Sequence, residues 1–258
     1  MQPSGARGAR HSGTTTVRAL LAAVAALGLL AGCGSGRSAG EGSPPTDGEA
    51  AASPSGEGDG DARAARIPGL GDRTRARIPD RARQVVAVHG AGAGSADARV
   101  ELWTRPAADR PWTRDRSWSG HNGKRGWTPD HHEGGKRSPV GVFTLSDAGG
   151  VLPDPGTELP YTHSAAFTPP AHWPEKTRHD FDYVIAVDYN RVPGTSPLDP
   201  TRPEGQEKGG FIWLHVDHGS GTSGCVSVPE AAMKHLLRTL DPDRHPVVVM
   251  GDRAALRR

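Results

Sequence analysis

From Gln84 onward, apolar residues gather in short runs bounded by glycine and proline. Gln84-Val85-Val86-Ala87-Val88 and Arg99-Val100-Glu101-Leu102-Trp103 read as strands. So do Val140 to Leu145, Tyr183 to Val187, Gly210 to His215 and Pro246 to Met250. One segment changes period. After Pro229, well placed at a first helical position, Met233, Leu236, Leu237 and Leu240 fall on one stripe, and Asp241-Pro242 stops the run. The expected fold is mainly β, with one packed amphipathic helix. At roughly 170 residues this region is large enough for one core. The long, proline-rich stretch 151–180 reads as a loop insertion lying over a cleft as a lid.

The chain before residue 81 is different. Arg7, Arg10 and Arg18 precede an apolar run from Ala19 to Ala31, too short to span a bilayer comfortably. This predicts an export signal over residues 1–33. Its end, Leu30-Ala31-Gly32-Cys33, resembles the lipobox of bacterial lipoproteins, which implies lipidation of Cys33 and anchoring at the outer face of the cell membrane. Residues 34–80 lack aromatic side chains and are dominated by Gly, Ala, Ser, Pro and charged residues, a composition that predicts a disordered tether with a reach on the order of 40 Å. A folded domain is expected over 81–252 and a tail over 253–258. Without the three signal arginines, 31 basic residues become 28 against 29 acidic ones, so no nucleic-acid footprint remains.

With Cys33 assigned to lipid, Cys225 is left as a lone thiol in an exported chain, set among Gly219, Gly221 and Gly224 and ten residues after His215. A thiol flanked by glycines and followed by a helix reads as a nucleophile, with an imidazole to take its proton and backbone amides near Gly224 to receive an oxyanion. His215, at the end of an apolar strand, is the leading base; His218 is its rival. Other readings stay open. His215, Asp217 and His218 are also zinc-type ligands, with His131, His132, His163, His172 or His179 to complete a site. An inert wall-binding lipoprotein is a further alternative, and a Cys33–Cys225 disulfide the plainest one. The six tryptophans are too scattered to assign, beyond one or two lining a groove.

Ile212-Trp213-Leu214-His215 followed by Thr222-Ser223-Gly224-Cys225-Val226 resembles the active-site signature of the L,D-transpeptidase catalytic family (YkuD-like, ErfK-type). Ser138-Pro139-Val140-Gly141-Val142-Phe143 is similar to its Thr-Pro-x-Gly-x-Phe strand, and Asp182 to Asn190 extends the likeness. The resemblance implies Cys225 as acyl-accepting nucleophile, His215 as base and acid, and Ser223 with Gly224 as the turn that orients the imidazole and lines the oxyanion site. It implies a β-sandwich or open barrel of mixed sheets with one amphipathic helix after the cysteine, peptidoglycan stem peptides as partners, and no metal or organic cofactor. Val226 and Ser227 follow the cysteine where relatives carry a polar substrate contact, which leaves donor and acceptor identity open.

Overall fold

The computed structural model describes residues 63–258. The predicted signal, Cys33 and the tether up to residue 62 lie outside the described residues. The strands are β1 Arg63–Ala64, β2 Gln84–Gly90, β3 Asp97–Thr104, β4 Trp112–His121, β5 Trp127–Thr128, β6 Ser138–Pro139, β7 Gly141–Thr144, β8 Ala148–Gly150, β9 Tyr161–His163, β10 Val184–Ala186, β11 Trp213–Val216, β12 Val226–Val228 and β13 Val247–Asp252. The α-helices are α1 Asp72–Arg75, α2 Glu230–Thr239 and α3 Arg253–Leu256. All strands except the β5–β6 pair join one mixed sheet in the order β7-β13-β2-β3-β4-β12-β11-β10-β8-β9, with β1 on β4. The sheet curls into a half-barrel, in agreement with the mainly β expectation.

The unbroken apolar runs of β2 and β13 follow from burial on both faces. Val86, Val88, Val248 and Met250 enter the main core, while Val85, Ala87, Val247 and Val249 enter a second one. Helix α2 closes the main core. Its Met233, Leu236 and Leu237 are fully buried against a cluster that includes Leu214, Val216, Val226 and Val228, each side chain contributing about 1.5–3 kcal/mol by leaving water. Pro229 is the residue before the helix rather than its first member, and β12 lies between Cys225 and α2. The helix therefore does not begin at the sulfur, and no dipole contribution there follows from the chain order.

Two expectations are corrected, and one strand was not foreseen. The segment 63–80 is part of the domain, not tether: Ile67 and Leu70 are buried beside Trp103, Trp112 and Leu256, and Gly71 N donates to Leu256 O at 2.8 Å. Its few apolar residues are insufficient alone but dock onto a ready-made face. The tail at 253–258 contains α3, capped by Asp252, which accepts from Ala254 N and Ala255 N, and it buries Leu256. Strand β4, ten residues long, escaped the sequence reading because only Trp112, Trp118 and Gly120 of it are buried. Gly120 has a steric reason: a Cβ there would stand 2.3 Å from Ser227 O, where β12 crosses β4.

Candidate active site

Strands β11 and β12 pair in parallel, Leu214 with Val226 and His215 with Ser227. Cys225 therefore stands level with Trp213, one strand over, and side chains two residues apart share a face. That register places sulfur and imidazole on one side of the sheet while Leu214 and Val226 turn to the core. The connecting loop 217–225 is shorter than the dozen or so residues usual between parallel neighbours, and its hydrogen bonds compensate. Thr222 exchanges backbone bonds with Asn122 and Lys124, and its Oγ1 donates to Cys225 O at 2.7 Å. The buried Ser138 hydroxyl donates to Gly224 O at 2.7 Å and accepts from Gly123 N at 2.9 Å. A Cβ on Gly224 would press within 3.2–3.3 Å of His131, Arg137 O and Ile212.

Cys225 and His215 open into one cavity of about 730 Å³. The thiol donates to Phe211 O at 3.3 Å and accepts from Trp213 N at 3.4 Å. Phe211 pays for that placement with φ of 52°, the left-handed region that costs an aromatic residue about 1–3 kcal/mol. Its ring is exposed beneath the Arg202 guanidinium, 4.0 Å away. His215 is 2% exposed. Its Nδ1 lies 2.8 Å from Val216 O, and since a carbonyl only accepts, Nδ1 carries the proton and Nε2 is the basic nitrogen. Phe181 packs edge-on against the imidazole at 5.3 Å between ring centres.

Burial governs the protonation of both groups. It pushes the Cys225 thiol from 9.0 to about 12, the Trp213 amide opposing and Asp180 adding to the rise. It pushes His215 from 6.5 down to about 4, against the pull of the Val216 carbonyl. At neutral pH the resting pair is thiol and imidazole, not thiolate and imidazolium.

The predicted site residues divide. Cys225, His215, Ser223 and Gly224 all line the cavity. The imidazole is held by the Val216 carbonyl rather than by Ser223, whose side chain is exposed. The Gly224 amide donates to Thr222 Oγ1 at 3.1 Å, so the oxyanion role expected of it is not free in this state. Residues offered as zinc ligands have separate partners: Asp217 accepts from Ser227 Oγ at 2.6 Å and meets His121 Nδ1 at 2.8 Å, while His218 faces Asp180. Among the described residues no group of three or more His, Cys, Asp or Glu converges. Trp173 and Trp213 line the cavity; Trp103, Trp112, Trp118 and Trp127 are buried elsewhere.

The stretch 151–180 carries β9 and two single 3-10 turns, and it supplies a cavity wall through Trp173, Pro174, Thr177 and Asp180. Lys176 Nζ ties this wall to the cysteine loop by donating to Ser220 Oγ at 2.9 Å. Ser138, Thr222 and Asp180 were missed as site residues. Ser138 stands inside a recognisable motif and was legible as a substitution; Asp180 gave no local signal.

These features define a class: a half-barrel β domain presenting a thiol and the basic nitrogen of a strand-borne histidine to a shared cavity. The chain belongs to the L,D-transpeptidase catalytic domain family (YkuD), which matches residues 119–249, about half of the 258 residues. Membership implies a transpeptidase acting on peptidoglycan. No curated protein and no solved structure matches the chain.

Proposed function

We propose that this chain is a peptidoglycan L,D-transpeptidase working through an acyl-enzyme on Cys225. The sulfur attacks the carbonyl that joins the diamino acid at position three of a tetrapeptide stem to its terminal D-Ala, and its proton passes to His215 Nε2. The imidazolium then protonates the departing amine, and D-Ala leaves. The side-chain amine of a second stem takes the acyl group, giving a 3→3 cross-link; water in its place makes the same site an L,D-carboxypeptidase. The observation that carries this reading is the shared sheet face of Cys225 and His215, with Nδ1 turned to the Val216 carbonyl so that Nε2 is left to accept a proton. Because both groups rest neutral, proton transfer accompanies attack instead of preceding it. We further propose that the exported chain is held at the membrane by lipid on Cys33, with its N-terminal segment reaching into the wall.

The test is incubation with a purified tetrapeptide stem, with and without an amine acceptor, read by intact mass. An adduct on Cys225 with release of D-Ala is expected. Cys225→Ala is expected to abolish it, and His215→Ala to slow it by roughly 10²–10⁴-fold. Equal turnover in Cys225→Ala would remove the nucleophile, and an inert wild type would leave a wall-binding lipoprotein.

A further inference from the structure

Two further imidazoles, His131 and His218, line the same cavity, and the acyl-transfer reading leaves both unused. His218 lies three residues beyond His215, its side chain 6% exposed, with Nδ1 3.0 Å from Oδ2 of Asp180, equally buried. The approach is off the hydrogen-bonding line, so Nδ1 is an unsatisfied buried atom. Its Nε2 has no hydrogen-bond partner among the described residues. The arrangement, a carboxylate beside one ring nitrogen of a histidine that lines a cavity holding a nucleophile, is that of an acid–base dyad.

We infer that Asp180 and His218 form a second dyad that takes a proton from the incoming acceptor amine, with His218 touching that amine and Asp180 positioning the ring. This rests on the acyl-enzyme reading above. A primary alkylamine titrates near 10.4, so at neutral pH nearly all of it is ammonium, which cannot attack a thioester. The ammonium gives one proton to His218 Nε2, and the neutral nitrogen bonds to the thioester carbonyl carbon. The carbon–sulfur bond breaks, and the amine's second proton reaches the Cys225 sulfur through His215. Thioester and alkylammonium thus yield amide, thiol and one proton, which His218 releases to solvent.

The surroundings suit this task. His218 is faced by Asp180, Asp217, Lys176, Lys124, His121 and His215. The two lysines lower the basicity of a neighbouring amine, the usual way to free a nitrogen nucleophile. Burial raises Asp180 from 3.8 to about 7, aided by Asp217 and opposed by Lys176 and Lys124, while burial and the same two lysines lower His218, so the ring readily hands an accepted proton on to solvent.

The experiment uses His218→Gln and Asp180→Asn in the full chain, with the tetrapeptide stem as donor and a stem bearing a free side-chain amine as acceptor. Acylation, hydrolysis and aminolysis are followed by mass across pH 6–10. In both variants aminolysis is expected to fall at least tenfold relative to hydrolysis and to recover as pH approaches the amine's own titration, which a loss of packing would not produce. An unchanged partition between amine and water in both variants overturns the inference. So does a loss of acylation in His218→Gln as deep as that in His215→Ala, which would make His218 the base for sulfur. A wild type that forms no acyl-enzyme sinks the transpeptidase reading and this inference together; a wild type that acylates, with variants of unchanged partition, sinks this inference alone.

Discussion

Alkylation of Cys225 by iodoacetamide measures whether the resting pair is neutral. Raising the thiol from 9.0 to about 12 makes thiolate roughly 10³-fold scarcer than in a free thiol at any pH below 9. A more basic thiolate is a better nucleophile, with a Brønsted slope of about 0.4–0.5, which returns a factor of roughly 20. The net expectation is a second-order rate about fortyfold below that of a free cysteine peptide at the same pH. The rate is expected to climb tenfold per pH unit from 7 to beyond 10. His215 adds no inflection near 6.5, because its basicity is lowered to about 4. The assay is intact mass after timed quenching, with Cys225→Ala as the blank. A plateau between pH 5 and 8, the mark of a preformed thiolate–imidazolium pair, would refute the reasoning. It would mean that the cavity stabilises charge where its burial predicts the opposite.

Ser138→Ala strands a buried amide on Gly123 and the carbonyl of Gly224, at about 1–3 kcal/mol each. A drop in Tm of roughly 10 °C is expected by calorimetry, and Ser138→Thr, which keeps the hydroxyl, is expected to lose less; an unchanged Tm in Ser138→Ala would dismiss the anchor. Asp180 has its folded-state value raised from 3.8 to about 7, so its protonated carboxyl contributes fully to stability below pH 3.8, and that contribution is lost as pH rises through 7. Asp180→Asn is therefore expected to be more stable than wild type at pH 8, by up to about 4 kcal/mol, and no more stable near pH 4. Urea midpoints at the two pH values check this, and a gain independent of pH would contradict it.

Much of the framework was legible because its causes are local. Valine-rich runs such as Val85 to Val88 and Val247 to Val249 bury both faces wherever they are placed, and the Met233–Leu240 stripe has a helical period whatever it packs on. Strand β4 was hidden because its hydrogen bonds to β3 and β12, not apolar alternation, make it a strand. The segment 63–80 was misjudged because composition weighs it in isolation, whereas Ile67 and Leu70 gain their burial from a surface built by residues far along the chain.

The chain order alone identified a thiol and a histidine ten residues apart, the glycines between them and the strand that carries the imidazole. It could not place them on the same face, because that depends on the parallel register of β11 with β12. Nor could it set their charge, which comes from desolvation by every group around the cavity, nor bring Asp180 to His218 across the fold. Periodicity and turn chemistry are properties of neighbouring residues; register, burial and electrostatic coupling are sums over distant ones, and only the folded chain carries out that sum.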